Sequence, residues 1–393
     1  DAPPPIACVA QRLRGSFPGR ALMTSSAYIG HILCPLVDPK FSEQDRLYTK
    51  AFSSPSPGLA DQVTHDFLRN QKRSGVTALD WAGDKLLVAS NKDNTLRLFD
   101  VAVGEKERSW SGDWMATQCD PNNPFVAAAV GWSGKFRVFD SRSSTTSVYD
   151  VDLKKSSPSL KDFLFLCWAP SSKHIALCTR SDQVFLLDLR VAAQLRLGPM
   201  HNSQLEVNQM VWGPDGDSIW LATGGSPGTL SVLPAPSLSS EGAVSVHAHQ
   251  YHALSVAVDP TGKYVASGGL DCLLALWDPR HLTCVRTFGN ATQGIATIGF
   301  NHTGNLLAWG TGGLSSSAGE RNLPIVGTHT GTLFSMEPTS APVQLIKWHP
   351  SRNLMAYALH ASQLPDERDP MHNRRLREKD LAVVHTLKIS DSM

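Results

Sequence analysis

The chain carries little charge. Only 18% of its 393 residues are Asp, Glu, Lys or Arg, against roughly 25% in ordinary soluble domains. The two signs nearly cancel, 36 basic against 35 acidic, for a formal net charge of +1. Such balance excludes binding of nucleic acid through overall charge and leaves only local basic patches for that purpose. No run of 18 apolar residues occurs, which excludes a transmembrane helix. Cysteine is scarce and irregular, seven in all and without a CxxC pair. That excludes a disulfide scaffold and a zinc ribbon, and fits buried thiols in a reducing compartment, cytosol or nucleus. Neither GxxxxGK[ST] nor HExxH is present, so there is no phosphate loop and no zincin helix. What the chain does have is 41% hydrophobic residues, enough for a sizeable core.

Residues 1–60 are a different material. They are rich in Pro, Ser and Ala, opening on Asp1-Ala2-Pro3-Pro4-Pro5 and ending on Ser53-Ser54-Pro55-Ser56-Pro57-Gly58. Proline at this density removes ladder donors and favours extended, solvated chain. A mostly disordered N-terminal segment is expected over 1–60, followed by one folded unit over 61–393. With Arg12, Arg14 and Arg20 and no acidic residue between Asp1 and Asp38, the same composition fits an organelle transit peptide. Both readings stand.

From residue 76 a pattern recurs. An alternating strand ends on an anchor, a short Gly-, Asn- or Ser-containing turn follows, then a strand rich in Leu, Ala and Val. After a polar turn a third strand closes on a bulky apolar residue and, often, Asp. The anchors are Trp81, Cys119, Trp168, Trp212, Val258, Phe300 and Trp348, with gaps of 38, 49, 44, 46, 42 and 48 residues. A period of about 44 residues with several short strands per unit is the signature of a WD40-type β-propeller, and seven anchors predict seven blades. Asp215-Gly216, Thr261-Gly262 and Thr303-Gly304 follow their anchors, where a tight hairpin needs positive φ. The closing strands, such as Leu96 to Asp100, Phe136 to Asp140, Val184 to Asp188 and Leu274 to Asp278, run apolar with little alternation, as strands covered on both faces do. The last blade is interrupted. Val343 to Trp348 and Leu354 to Leu359 are followed by about twenty polar residues before Leu381 to Leu387 resumes as a strand. His65 to Leu68 is expected to add the outermost strand, so that the chain ends meet in one blade.

The clearest repeat is the fifth. His249 lies nine residues before Val258, and Asp271 six before Trp277. With Ser267 these form the structural tetrad expected of blade five: His249, Ser267, Asp271 and Trp277. A buried His, Asp and indole must satisfy one another or cost about 1 kcal/mol or more each. The alternative reading, His249 and Asp271 as a catalytic pair, is outweighed because the spacing is that of the scaffold. In the first repeat Asp93 keeps the six-residue spacing to Phe99, but no His precedes it at the right distance.

The stretch Val207-Asn208-Gln209-Met210-Val211-Trp212, the run His247-Ala248-His249, the run Val258 to Asp271, then Leu276-Trp277-Asp278 and Leu282-Thr283-Cys284-Val285-Arg286 together resemble the THO complex subunit 3 family. The resemblance reaches back to His65-Asp66-Phe67-Leu68 and on through Trp348-His349-Pro350, roughly residues 64–389. In the early blades Phe99-Asp100, Phe139-Asp140 and Leu187-Asp188 stand where the family shows Trp-Asp, and Ser141 to Lys161 and Leu314 to Asn322 are insertions. The resemblance implies a nuclear, non-catalytic WD-repeat scaffold without cofactor or metal. Its partners would be the other THO/transcription–export subunits, chiefly the large helical one, in support of mRNA packaging and export. RNA contact would be weak or indirect; no membrane and no small-molecule substrate are implied. Fold alone equally suits a WD40 adaptor or substrate receptor in a ubiquitin ligase or chromatin assembly.

Other signals are weaker. Arg374, Arg375, Arg377 and Lys379 form a basic cluster in the seventh-blade loop, diluted by Glu378 and Asp380. A charge-mixed solvated loop is the plainer reading, an RNA or partner contact the sharper one. The aromatic interleaving of a single-strand platform is missing there. Arg69, Lys72 and Arg73 make a smaller group. His247, His249 and His252 cluster without a convergent carboxylate, which is poor for metal. Cys167 and Cys178, on adjacent strands of the third repeat, read as buried thiols. An enzyme would need ionisable groups converging at the channel mouth, and no paired carboxylates recur at matching positions.

Overall fold

The apolar runs of the repeat become short antiparallel strands because both faces of each sheet are covered by the next sheet in the ring. The computed structural model describes residues 63–68, 75–90, 93–142, 147–155, 161–189, 196–312, 319–361, 364, 368–369, 374–375 and 382–389. The expected N-terminal segment 1–60 lies outside them. Seven four-stranded sheets, the blades, stand around an axis. From the axis outward, blade one is Ala78–Ala82, Lys85–Ser90, Thr95–Asp100 and Glu105–Ser111, and blade two Trp114–Asp120, Asn123–Gly131, Lys135–Asp140 and Ser147–Asp152. Blade three is Phe163–Trp168, His174–Thr179, Gln183–Asp188 and Arg196–Asn202; blade four is Val207–Trp212, Ser218–Thr223, Gly228–Pro234 and Val244–His249. Blade five is Ala253–Val258, Val265–Gly269, Leu274–Asp278 and Thr283–Phe288; blade six is Ile295–Phe300, Leu306–Thr311, Asn322–Gly327 and Leu333–Pro338.

Blade seven closes the ring with both ends of the chain. Its order is Val343–Trp348, Leu354–Leu359, Val384–Ile389, then Val63–Phe67. The N-terminal strand pairs with the C-terminal one from Val63↔Ile389 to Phe67↔His385. The C-terminal strand starts at Val384, three residues later than the apolar run suggests. Ala382 and Val383 are buried ahead of it, so burial begins before pairing does.

The core is distributed between blades rather than gathered at one centre. Leu87, Ala89, Leu96 and Leu98 of blade one pack on Trp114, Ala127, Ala129 and Phe139 of blade two. Comparable clusters fill the seams from blade two to three, three to four, four to five and five to six. One larger cluster joins blades six, seven and one, with Val384, Leu387 and Ile389 fully buried in it. A fully buried Leu or Ile contributes about 1.5–3 kcal/mol, so each seam is a small core.

The sequence anchors end the innermost strands, and three of the tryptophans stitch seams. The Trp81 indole donates to the Lys347 carbonyl at 2.9 Å, Trp168 to Gln118 at 3.0 Å, and Trp348 to Gly299 at 3.0 Å. In each case the acceptor is the residue before the preceding blade's anchor. Trp212 instead donates to Gly216 in its own turn, at 2.8 Å. The predicted hairpin glycines take positive φ: 77° at Gly216, 73° at Gly262 and 71° at Gly304. The Asp that ends many third strands has a local task. Asp100, Asp140 and Asp278 each accept the backbone N–H two residues on, at 2.9, 2.9 and 2.8 Å, which sets the turn to the fourth strand.

Deleting the chain after Glu378 removes the strand between Leu354–Leu359 and Val63–Phe67. The expected outcome is a melting temperature lower by about 10 °C or more, read by calorimetry; an unchanged melt would contradict closure by the two chain ends.

Candidate functional site

The four residues singled out in the fifth repeat form one directed chain of hydrogen bonds. Trp277 Nε1–H donates to Ser267 Oγ at 2.9 Å, and Ser267 Oγ lies 2.8 Å from His249 Nε2. His249 Nδ1 lies 3.0 Å from Asp271 Oδ1. The indole is donor only, so it fixes the direction: Ser267 donates to Nε2, and the Nδ1–H tautomer donates to the carboxylate. Asp271 also accepts the N–H of Gln250 at 2.9 Å and of Leu273 at 3.2 Å. Gly269 makes the room, because a Cβ there would run into His249 Nδ1 and Asp271 Oδ1. The network does not lie within blade five. His249 ends the outermost strand of blade four, so the tetrad crosses the seam between two blades. The sequence repeat begins one strand before the sheet does, which is why the two differ in phase. With all lone pairs and protons engaged within the scaffold, this His–Asp pair aims nothing at solvent.

In blades two and four most of the same positions are apolar. In blade two, strand register puts Trp110, Ala129, Ser133 and Phe139 in place of His249, Ser267, Asp271 and Trp277. Trp110 and Phe139 pack ring to ring at 5.0 Å. In blade four Leu221 and Leu233 fill the Ser267 and Trp277 positions. In blade one Asp93, lacking a His, forms an ion pair with Arg97. A partly satisfied polar network costs more than an apolar one, and blades two and four carry the apolar replacement at these positions.

The channel wall holds a second polar group. Asp80 on the innermost strand of blade one accepts the Cys119 N–H at 2.6 Å, and Lys347 Nζ lies 3.9 Å from its other oxygen. Burial pushes the Asp80 carboxyl up, and Lys347 with the N–H groups of Cys119 and Trp81 only partly offsets that. Burial likewise pushes the thiols up: Cys119 well above its ordinary value, Cys167 to about 12 and Cys178 further still. A thiol held protonated is a poor nucleophile. Cys167 faces Ala176 across the ladder, while Cys178 faces Phe165, so the two cysteines are offset in register.

Among the described residues no group of three or more His, Cys, Asp and Glu converges to hold a metal. His252 is engaged locally, its Nδ1 accepting the Gly225 N–H at 3.3 Å. Of the basic cluster, Arg374 and Arg375 lie on a two-residue strand paired with Arg368 and Asp369, a small ribbon on the loop inserted in blade seven. Arg377, Lys379, Arg69, Lys72 and Arg73 lie outside the described residues. What sequence reasoning missed are the polar side chains that cross seams: Gln118 to the Trp168 N–H, Asp182 to Val207 and Gln209 to Val256, each at 2.8 Å. Gln118 and Gln209 sit on innermost strands, one and three residues before the anchor, a spacing visible in the sequence once the ring is known.

Residues 64–100 and 243–278 match the family described as WD domain, G-beta repeat, the second span taking in the whole tetrad. The fold matches the β-propeller domain of Cps50 (Swd1) from Myceliophteria thermophila with a TM-score of 0.63, covering 83% of this chain and 100% of that one at 14% identity. The chain is a seven-bladed β-propeller that carries WD-repeat segments. Within that class it is similar to THO complex subunit 3 of Arabidopsis thaliana, 27% identical over 319 residues that make up 79% of this chain and 92% of that protein. It is also similar to WD repeat-containing protein AAC3 of Dictyostelium discoideum, 25% identical over 61% of this chain and 53% of that protein.

Two predictions test the tetrad. Ser267→Ala strands the Trp277 indole N–H and His249 Nε2 together, and is expected to cost about 1–3 kcal/mol. Ser231→Ala, which loses an exposed hydroxyl pair with Ser245, should change the denaturant midpoint little. Burial alone would push the Asp271 carboxyl up, but the bonds from His249, Gln250 and Leu273 bring it below 3.8. A carboxyl depressed in the fold stabilises above its unfolded value and loses that contribution as pH falls through the folded one. The stability difference between wild type and Asp271→Asn should therefore be full near neutral pH and shrink below about pH 4. A difference independent of pH would contradict the assignment.

Proposed function

We propose that this chain is a non-catalytic scaffold subunit of a THO/transcription–export complex in the nucleus, supporting mRNA packaging and export by holding other subunits together. The observation that carries this reading is the extent of the similarity to THO complex subunit 3, which spans 92% of that protein and 79% of this chain. A match that spans most of the relative supports this reading better than a match to one repeat would. The physical properties agree. A closed ring offers a stiff disc with loops on two faces and a wall of outer strands, suited to holding helices or peptides. The buried titratable groups of the tetrad and of the Asp80 region are consumed by hydrogen bonds within and between blades. The partner of first interest is the large helical THO subunit.

Co-expression with that subunit, followed by size-exclusion chromatography, tests the proposal. The two chains are expected to elute together in a fixed ratio. Elution of this chain alone, or its retention by components of a ubiquitin ligase in a parallel affinity purification, would redirect the assignment.

A further inference from the structure

Many of the described cations face a carboxylate. Lys85, Arg97, Arg137, Arg142, Lys347 and Arg352 each do so. Among the exposed cations that do not are Lys135, Lys154, Lys155, Lys161 and Arg180. These five fall on separate turns between Lys135 and Arg180 and meet at one place, the rim of blades two and three. Backbone hydrogen bonds draw them together. Leu153 N–H donates to the Gly134 carbonyl at 3.0 Å, Asp162 to Trp132 at 2.9 Å, and Arg180 to Asp162 at 2.8 Å. Lys135 adjoins Gly134, Lys154 and Lys155 follow the buried Leu153 in a single 3-10 turn, and Lys161 adjoins Asp162.

Four carboxylates, Asp113, Asp152, Asp162 and Asp182, are interspersed among these cations; Asp162 is held through its backbone, and the other three side chains have structural tasks. Asp113 accepts both the N–H and the hydroxyl of Ser133, Asp152 the N–H of Lys154, and Asp182 the N–H of Val207. In the middle stands Trp132, half-buried, with the Arg180 guanidinium over its ring at 5.8 Å from the centroid. Unpaired cations alone would suit any polyanion. Cations surrounding an aromatic face with a guanidinium beside it suit a chain that alternates phosphates with flat bases, because the lysines take the backbone and the rings stack.

We propose that the loops of blades two and three form a binding site for single-stranded nucleic acid, with Lys135, Lys154, Lys155, Lys161 and Arg180 on phosphates and Trp132 under a base. The site is distinct from the Arg374 and Arg375 ribbon on blade seven and does not depend on membership of any complex.

Fluorescence anisotropy on the full chain tests it, with labelled 15-nucleotide oligo(U), oligo(dT), a 15-base-pair duplex and a 15-residue oligoglutamate as probes. Oligo(U) or oligo(dT) should bind at least about ten-fold more tightly than oligoglutamate, and their ratio tells RNA from DNA. Lys154→Ala with Lys155→Ala should weaken binding about ten-fold and reduce the salt slope by about 1.4, at about 0.7 for each phosphate no longer neutralised. Trp132→Ala should weaken it with the salt slope unchanged, and Trp132→Phe should restore most of the affinity; thermal melts of both variants separate stacking from misfolding. Lys173→Ala, on an exposed turn of the opposite face, should have no effect. Absent binding at low salt, equal affinity for oligoglutamate, or weakening confined to Arg374→Ala and Arg375→Ala would each overturn the proposal.

Discussion

A four-stranded sheet with two apolar faces has nowhere to put them except against other sheets, and only a closed ring of such sheets leaves none exposed. This constraint governs the structure. Each blade is too small to carry a core of its own, so the cores lie in the seams, and a seam exists only if both of its blades are in place. The last seam is made when Val63–Phe67 adds to Val384–Ile389. Joining the two chain ends in one sheet turns a row of blades with two open flanks into a wheel with none, and covers the edge of Val384–Ile389 with Val63–Phe67 as the outermost strand.

Polar groups are admitted to the seams on strict terms. The tetrad between blades four and five is complete from indole to carboxylate, and blades two and four replace it with rings and leucines. The tetrad pairs each of its donors and acceptors; the aromatic version does so less completely, since the Trp114 indole N–H is buried beside Phe139 without a partner. Near the axis the rule is met differently, by Trp indoles and by Gln118, Gln209 and Asp80 reaching across to backbone groups of neighbouring blades. These bonds set the angle between blades, which hydrophobic burial does not specify, and so make the loop faces rigid.

Much of this was legible in the residues themselves. The seven anchors mark the ends of seven innermost strands. The spacing of His249, Ser267, Asp271 and Trp277 was readable because it is the repeat's own. The pairing of chain ends followed from the interrupted last repeat. What was not legible has a common physical cause. The phase between repeat and sheet, which puts His249 on blade four, is set by which strand edges pair and not by local pattern. The cations around Trp132 are interrupted by strands and by carboxylates between Lys135 and Arg180, so the sequence does not show them as a cluster. Arg374 to Lys379 stood out because its charges are contiguous, and contiguity along a chain is a poor guide to convergence in a fold built from turns.

With the seams closed, the loops and outer strands are the surface the ring presents. Closure by the chain ends requires that the ring open as one unit, with blade seven no weaker than the rest. Native-state hydrogen exchange tests this most directly. If closure by the chain ends is what holds the wheel, amides of Val384–Ile389 should exchange with the same opening free energy as those of Ser218–Thr223 on the far side, both at the global unfolding value. Exchange of Val384–Ile389 through an opening several kcal/mol lower, while Ser218–Thr223 stays protected, would show that the other blades stand without the closing strand and would contradict the account.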